Sequence, residues 1–234
     1  MDALARLVAE PLLAAIFLDV DGTLAPIVVD PADALVPEST RADLRRLAAR
    51  YGLVACVSGR PGDIARAIVG VPELTYVGEH GLELEPAARE WADPIHAFAE
   101  KTRWPAEIKP LTAAFHYRGS DDREGARSLL EEVAIAARAE GFRTRWGRLV
   151  LEVLPPIDAT KRTAVTRLLA AHGLHRALYA GDDTTDLDGF AALDGLELAI
   201  RVAVSSREAP AALAERADLV VDSPAEFAEL LAQL

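Results

Sequence analysis

The sequence contains a single cysteine, Cys56, among its 234 residues. One cysteine cannot form an internal disulfide, which is typical of proteins in a reducing compartment such as the cytosol. Cys56 lies inside the apolar run from Leu53 to Val57, where a cysteine usually packs as a small apolar side chain. We therefore expect a cytoplasmic protein in which Cys56 is a buried strand residue and not a nucleophile.

Positive charge is also scarce, since 25 lysines and arginines face 37 aspartates and glutamates, for a net charge of -12. Nucleic acids and anionic membranes both require a surplus of positive charge, so this balance argues against either as a partner. A small phosphorylated substrate remains compatible, because a local site can be positive on an acidic protein. The sequence has no transmembrane run. The apolar stretch Pro11 to Leu18 ends in Asp19-Val20-Asp21 without a signal-peptide cleavage site, which favours a buried strand.

Apolar strands alternate with helical patterns near both ends of the chain, without internal repeats. The predicted strands are Ala14 to Val20, Leu53 to Val57, Thr75 to Val77, Ala177 to Ala180, Leu198 to Val204 and Asp218 to Val221. The predicted helices are Ser39 to Arg50, Asp63 to Val69, Lys161 to His172 and a last helix capped by Ser223. Short apolar strands between helices indicate a parallel sheet covered on both faces.

The middle of the chain has a different pattern. Leu111 to Tyr117 and Leu149 to Leu154 alternate apolar and polar residues, as half-exposed strands do. Between them, Asp122 to Glu140 is predicted to be a long helix. The apolar face of that helix is expected to carry Leu129, Leu130, Val133 and Ala137. This pattern predicts a small α+β unit with an open antiparallel sheet, inserted between the two α/β segments.

The segment Phe17 to Leu24, FLDVDGTL, places two carboxylates at the end of an apolar strand. Side chains at positions i and i+2 of a strand share a face, so Asp19 and Asp21 are expected to project together where the chain turns. Two like charges this close are unfavourable unless a cation lies between them, and Mg²⁺ is the usual partner of such oxygens. Gly22 supplies the permissive backbone for a sharp turn.

Three other kinds of site do not fit the sequence. A calcium-binding EF-hand loop is excluded because Leu24 stands where that loop needs glycine, and Asp30 stands where it needs glutamate. Neither GxGxxG nor GxxxxGK[ST] is present, so neither a dinucleotide site nor a P-loop nucleotide site is indicated.

A second acidic cluster, Gly181-Asp182-Asp183-Thr184-Thr185-Asp186, follows a predicted strand. Acidic residues between a strand end and a helix start lie where open α/β sheets bind ligands. Helix N-capping is the alternative explanation, but one aspartate would be enough for that. Three aspartates within five residues therefore suggest a cation.

Two smaller segments are compatible with phosphate binding. Val57-Ser58-Gly59-Arg60 lies at a strand end, where a hydroxyl and backbone N–H groups suit phosphate oxygens, although taken alone it is more often a plain turn. Lys161 begins a predicted helix, where positive charge is slightly unfavourable for the helix dipole. A functional task for this lysine is as plausible as a structural one.

In this order, the four segments resemble the motifs of the haloacid dehalogenase superfamily of phosphohydrolases. Asp19 and Asp21 match its first motif, Ser58 its second, Lys161 its third, and Asp182, Asp183 and Asp186 its fourth. The resemblance implies an α/β fold with a Rossmann-like parallel-sheet core and an inserted α+β cap domain. The core would comprise residues 1–83 and 155–234, and the cap residues 84–154.

Within the superfamily, the chain is most similar to the trehalose-6-phosphate phosphatase family. The matching strings are FLDVDGTL at 17–24, SGRP at 58–61, GEHGLE at 78–83, HYR at 116–118, LEVLP at 151–155 and GDDTTD at 181–186. Two positions depart from the family pattern: Leu187 stands where an acidic residue is usual, and Arg162 where a small residue is commoner.

The resemblance implies a Mg²⁺-dependent phosphatase that forms an aspartyl phosphate. Asp19 would be the nucleophile and Asp21 the general acid and base, while Ser58 and Lys161 would bind the transferred phosphoryl group. The Mg²⁺ site would involve Asp19, Asp21 through its backbone carbonyl, and Asp182, with Asp183 and Asp186 orienting it. The implied substrate-binding residues are Thr23, Arg60, Glu79, His80, Lys109, His116, Arg118 and Glu152.

The sequence leaves the substrate open. The expected reaction is hydrolysis of trehalose 6-phosphate, and the expected partners are a small sugar phosphate and, functionally, a trehalose-phosphate synthase. Phosphates of sucrose, glucosylglycerol or mannosylglycerate are alternative substrates for the same architecture. A catalytically silent sugar-phosphate sensor is a further alternative, against which the intact Asp19, Asp21, Lys161 and Asp182 argue. The cap residues could also form an ordinary solvated sheet face.

Overall fold

A computed structural model describes residues 3–28, 30, 33–147, 149–206 and 209–234. The chain forms two compact units. The first unit comprises Met1–Gly81 and Ala159–Leu234, and the second unit comprises Leu82–Asp158. The assignment of the first as a catalytic core and the second as a cap stays a prediction.

The described residues form α-helices and β-strands along the whole chain. The strands are β1 (Ala14–Leu18), β2 (Leu53–Val57), β3 (Thr75–Val77), β4 (Glu107–Ile108), β5 (Ala113–His116), β6 (Arg143–Gly147), β7 (Val150–Leu154), β8 (Arg176–Gly181), β9 (Leu198–Val204) and β10 (Leu219–Val221). The helices are α1 (Ala3–Ala9), α2 (Glu38–Ala48), α3 (Gly62–Val69), α4 (Ala92–Lys101), α5 (Arg123–Ala139), α6 (Lys161–His172), α7 (Asp186–Ala192), α8 (Ala211–Arg216) and α9 (Pro224–Gln233). None of these helices has both the length and the apolar character needed to cross a membrane.

The first unit contains a six-stranded sheet in the order β10-β9-β8-β1-β2-β3. Every pair in it is parallel, which confirms the predicted α/β class. All five residues of β1 are buried, because this strand lies between β8 and β2 in the middle of the sheet. Leu44 and Leu47 of α2 are fully buried in the core on one side of it. Cys56 is also fully buried, and burial raises the pKa of its thiol, as expected for a packing residue.

The second unit contains a four-stranded antiparallel sheet in the order β4-β5-β7-β6. Its two faces differ because side chains alternate along each strand. On one face, Phe115 and Val153 pack with α4 and α5 in a separate hydrophobic core. The opposite face carries polar side chains, including Glu107, His116 and Glu152, which the strand registers place together. We call this the polar face of the second sheet.

The sequence-based interpretation of α5 was partly wrong. Leu129 was expected on the apolar face but is 55% exposed. The buried stripe consists of Ala126, Leu130, Ala134 and Ala137. Leu129 lies one position, about 100° of helix rotation, away from this stripe, and its size misled the assignment.

Candidate active site

Four parallel strands end at one edge of the six-stranded sheet, and each is followed by predicted site residues. Asp19 follows β1, Ser58 follows β2, Glu79 lies just beyond β3, and Asp182 follows β8. The strand order reverses between β1 and β8, because β2 and β3 extend the sheet on one side and β9 and β10 on the other. Open α/β sheets bind their ligands outside such a reversal point.

The turn after β1 brings its aspartates against the second acidic cluster. Gly22 has a φ of 85°, and its N–H donates to the Ala25 carbonyl over 2.7 Å. A Cβ at Gly22 would lie 2.1 Å from Asp182 Oδ2, so glycine is required both for backbone conformation and for space. Thr23, which is fully buried, directs its hydroxyl towards Asp182 Oδ1 at 3.4 Å.

Lys161 lies between two buried carboxylates. Its Nζ is 2.5 Å from Asp19 Oδ1 and 2.7 Å from Asp186 Oδ1. The lysine begins α6, whose first turn is capped by the Thr160 side chain, and only 2% of it is exposed. Burial lowers the pKa of Lys161, but the charges of Asp186 and Asp19 outweigh this effect and raise it overall. The two carboxylates thus compensate for a positive charge at a helix N-terminus.

Asp186 connects several parts of the site. Its Oδ2 accepts the backbone N–H groups of Asp182 and Asp183 at 3.0 and 2.9 Å. Its Oδ1 accepts the hydroxyl of Tyr179 at 2.7 Å in addition to Lys161. The sequence analysis missed Tyr179, whose only signal was a polar group inside an apolar strand.

Asp19 and Asp182 have strongly perturbed acidities. Burial raises the pKa of Asp19 to about 7, opposed by Lys161 and reinforced by Asp186. Burial also raises the pKa of Asp182 to about 9, with further contributions from the charges of Asp19 and Asp186. Burial is therefore the main cause of both shifts, and the charges of the neighbouring carboxylates add to it.

The same cluster fits a hard divalent cation. Carboxylate oxygens of Asp19, Asp182 and Asp186 lie within 4.8 Å of one another. Lys161 neutralises one of these three carboxylates, so two negative charges remain uncompensated when all three are ionised. Carboxylate oxygens are the ligands that Mg²⁺ prefers.

Asp183 differs from the other aspartates of its segment. Its side chain accepts the N–H of Thr184 at 2.6 Å and the residue is only partly buried. It is not a member of the group of three carboxylates. A direct metal contact of Asp183 therefore stays a prediction.

Asp21 projects from the same turn but pairs with Arg60. Both carboxylate oxygens accept from the guanidinium, Oδ2 from Nε and Oδ1 from Nη2, each over 2.6 Å. The Asp21 side chain is 36% exposed, in contrast to 8% for Asp19. The two aspartates of the first motif therefore have different partners and different exposure to water.

The loops after β2 and β3 are hydrogen-bonded to each other. The backbone N–H of Glu79 donates to the Arg60 carbonyl at 2.9 Å, and that of His80 to the Ser58 carbonyl at 2.8 Å. Glu79 and His80 adopt left-handed backbone conformations, with φ values of 46° and 57°. The His80 ring lies directly against Gly59, where a Cβ would come within 2.5 Å of Nε2. Such strained residues persist where surrounding structure holds them.

The remaining predicted residues belong to the polar face of the second sheet or its borders. Glu152 is 7% exposed and accepts from two cations, Lys109 at 3.2 Å and Arg145 at 2.6 Å. The sequence analysis missed Arg145, which the register places directly opposite Glu152.

His116 and Arg118 are more exposed. His116 Nε2 lies 2.6 Å from Glu107 Oε2, and this hydrogen bond lowers the pKa of Glu107. Arg118 lies just beyond β5 on the surface. The sequence-predicted residues therefore form two groups, one in each unit.

Known proteins similar to this chain point to one family. A family model described as trehalose-phosphatase matches residues 17–110 and 96–222. A trehalose-phosphate phosphatase of Mycobacterium avium (strain 104) is 35% identical, over 94% of this chain and 61% of the relative. A probable trehalose-phosphate phosphatase of Oryza sativa subsp. japonica is 33% identical, over 76% of this chain and 54% of the relative. The chain thus spans less than two thirds of the length of these relatives.

Solved structures show the same fold. A trehalose-6-phosphate phosphatase related protein superimposes with a TM-score of 0.75 and 24% identity, covering 94% of this chain and 96% of the other. A haloacid dehalogenase-like hydrolase from Bacteroides thetaiotaomicron has a TM-score of 0.64 and 18% identity, covering 94% and 98%. The fold is therefore that of haloacid dehalogenase-like hydrolases. With a family model that spans most of its length, this chain belongs to the trehalose-phosphatase family.

Proposed function

We propose that this protein is a Mg²⁺-dependent phosphatase that hydrolyses trehalose 6-phosphate to trehalose and phosphate. The observation that carries this proposal is the buried contact of Lys161 with Asp19 beside Asp182, in a chain of the trehalose-phosphatase family. A nucleophilic carboxylate, a fixed cation and a second carboxylate are the groups that phosphoryl transfer through an aspartyl phosphate needs.

In the first step, a carboxylate oxygen of Asp19 attacks phosphorus. The new Asp19–phosphorus bond forms as the bond from phosphorus to the sugar oxygen breaks, and the protonated form of Asp21, released from Arg60, donates its proton to that oxygen. In the second step, Asp21 accepts a proton from water, which attacks phosphorus and breaks the bond to Asp19. Phosphate leaves and both aspartates return to their starting states.

The remaining residues of the first unit bind and orient the phosphoryl group. Lys161 fixes the Asp19 carboxylate through Oδ1 and offers positive charge to the transferring oxygens. Ser58 supplies a hydroxyl close to this edge of the sheet. Asp19 and Asp182, with the backbone carbonyl of Asp21, would hold the Mg²⁺. The ion would supply positive charge that offsets the carboxylates and the phosphate.

Arg60 has two uses in this scheme. Its bidentate contact holds the Asp21 side chain. A phosphoryl group is also a good bidentate partner for arginine. Transfer of Arg60 from Asp21 to the substrate would release Asp21 for proton transfer.

The polar face of the second sheet is proposed to recognise the sugar. Lys109, His116, Arg118 and Glu152 offer charged donors and acceptors that suit sugar hydroxyls. Glu152 supports this role because it is buried and bonded to two cations on this face. A buried charge needs such partners, and they fix the orientation of the Glu152 carboxylate.

A panel of sugar phosphates tests the proposal. Phosphate release is measured with Mg²⁺ for the 6-phosphate of trehalose and for sucrose, glucosylglycerol and mannosylglycerate phosphates. We expect the highest kcat/KM for trehalose 6-phosphate, and no turnover with chelator. A higher kcat/KM for another sugar phosphate would identify that compound as the substrate instead. No phosphate release from any of them would favour a catalytically silent sensor. Cytoplasmic location and functional coupling to a trehalose-phosphate synthase stay predictions.

A further inference from the structure

Tyr179 is a fully buried residue of β8 with a polar partner in the site. Its hydroxyl donates to Asp186 Oδ1 over 2.7 Å. A phenol hydroxyl buried without a partner costs free energy, so this bond explains how a tyrosine can occupy a central strand. Tyr179 belongs to none of the four haloacid dehalogenase motifs. It lies inside the apolar strand that precedes the fourth motif.

The Asp186 carboxylate accepts four hydrogen bonds from protein donors. Oδ1 accepts from Lys161 and Tyr179, each at 2.7 Å. Oδ2 accepts from the backbone N–H groups of Asp182 and Asp183. A carboxylate offers about four lone-pair sites, so these four bonds occupy its full capacity. Asp186 therefore supports Lys161 and the adjoining loop, although it lies near the other two carboxylates.

Packing alone does not explain the Tyr179 hydroxyl. The ring meets Phe190 edge-on, with centroids 5.9 Å apart and an interplanar angle of 85°. Gly189 makes room for the ring, since a Cβ there would lie 2.2 Å from it. A phenylalanine ring would keep both contacts. The hydroxyl is therefore the part of Tyr179 that serves Asp186.

We propose that Tyr179 is a positioning residue for phosphoryl transfer, which acts by fixing Asp186 and, through it, the Lys161 ammonium against Asp19. This inference rests on the proposed function. Without the hydroxyl, Oδ1 of Asp186 loses one of its two anchors, and Lys161 can move relative to Asp19. Lys161 stabilises the charge that develops during phosphoryl transfer. Removal of the Tyr179 hydroxyl should therefore lower kcat more than it changes KM.

The test compares Tyr179→Phe with Tyr76→Phe. Tyr76 in β3 is a matched control, because it is also a strand tyrosine with a hydrogen-bonded hydroxyl. Its hydroxyl donates to the Val71 backbone carbonyl at 2.7 Å and not to a carboxylate of the site. For trehalose 6-phosphate with saturating Mg²⁺, we expect Tyr179→Phe to lower kcat about tenfold, in line with loss of a hydrogen bond to a charged group. KM should stay within about twofold, and Tyr76→Phe should retain the parent kcat.

A double-mutant cycle separates positioning from a general structural effect. In the Asp186→Asn background, Tyr179→Phe should lower kcat by less than about twofold, because the carboxylate it serves is gone. An equal factor in both backgrounds, or an unchanged kcat in Tyr179→Phe alone, would overturn the inference. Failure of the parent protein to release phosphate from any sugar phosphate would instead overturn the proposed function. Thermal unfolding of each variant verifies that it is folded.

Discussion

At the scale of single residues, Asp19 and Asp21 are two positions apart but have contrasting environments. Asp19 is buried against Lys161, whereas Asp21 is partly exposed and held by Arg60. Paired carboxylates with different environments can take different chemical roles in one reaction. A buried, fixed carboxylate suits direct attack on phosphorus. A carboxylate with access to water suits proton transfer.

We expect Asp19→Asn to fold and to lose nearly all phosphatase activity, because an amide does not attack phosphorus. Asp21→Asn should lower kcat by about 100-fold or more, the usual contribution of general acid–base catalysis. Asp43→Asn is the control, since the Asp43 side chain forms an ion pair with Arg46 on α2. The phosphatase activity of the three variants is measured as the initial rate of phosphate release from trehalose 6-phosphate. Activity of Asp19→Asn within tenfold of the parent would contradict its assignment as nucleophile.

The residues that the sequence identifies here are those whose spacing along the chain carries the signal. Asp19 and Asp21 share a short motif, and Lys161 begins a helix where a cation is otherwise unfavourable. Tyr179 and Arg145 could not be found in this way. Tyr179 meets Asp186 only when a strand and the following helix pack together, and Arg145 meets Glu152 only through strand register.

At the scale of secondary-structure elements, one face of the second sheet packs against helices, and the other is the face proposed to recognise the sugar. One face buries Phe115 and Leu151 beneath α4 and α5, and the other carries the Glu152 network. The predicted alternation of β5 and β7 was only partly right, because Ala114 and Glu152 on the polar face are also buried. Lys109 and Arg145 bond to Glu152, and sequence alternation alone does not reveal these contacts.

Substitutions on the polar face should affect substrates unequally. Arg118→Ala and Glu152→Gln should lower kcat/KM for trehalose 6-phosphate at least tenfold more than for a small aryl phosphate. The reason is that a site built to hydrogen-bond hydroxyls discriminates strongly when those bonds are lost. Glu131→Gln, which alters an exposed ion pair with Arg138 on α5, is the control. Equal losses on both substrates would show that these residues serve the fold or the reaction centre.

At the scale of the whole molecule, the acidic cluster links stability to pH and to metal. Folding raises the pKa of Asp182 to about 9 and that of Asp19 to about 7, above their ordinary value of 3.8. A raised pKa in the folded state means that the protonated carboxyl is favoured there. This contribution to stability is therefore complete below about pH 4 and is lost as pH rises through the folded values.

With chelator present, the midpoint of thermal unfolding of Asp182→Asn should exceed that of the parent protein. The excess should grow between about pH 4 and pH 9, from the ordinary pKa of Asp182 to its folded value. The amide avoids the ionisation that the buried site opposes. At high pH, Mg²⁺ should raise the midpoint of the parent protein more than that of Asp182→Asn. A difference between the two proteins that is independent of pH would contradict the raised pKa of Asp182, and equal stabilisation of both by Mg²⁺ would contradict a metal site there.

The most direct test of the account is to trap the phosphoryl group on Asp19. In Asp21→Asn, an aryl phosphate with a good leaving group needs no proton from residue 21 to form the intermediate, but its hydrolysis still needs a base. We predict a burst of aryl alcohol equal to the amount of enzyme, and a phosphoryl group on Asp19 in peptides from the acid-quenched protein. Steady release of phosphate without a burst, and with Asp19 unmodified, would contradict the aspartyl-phosphate mechanism.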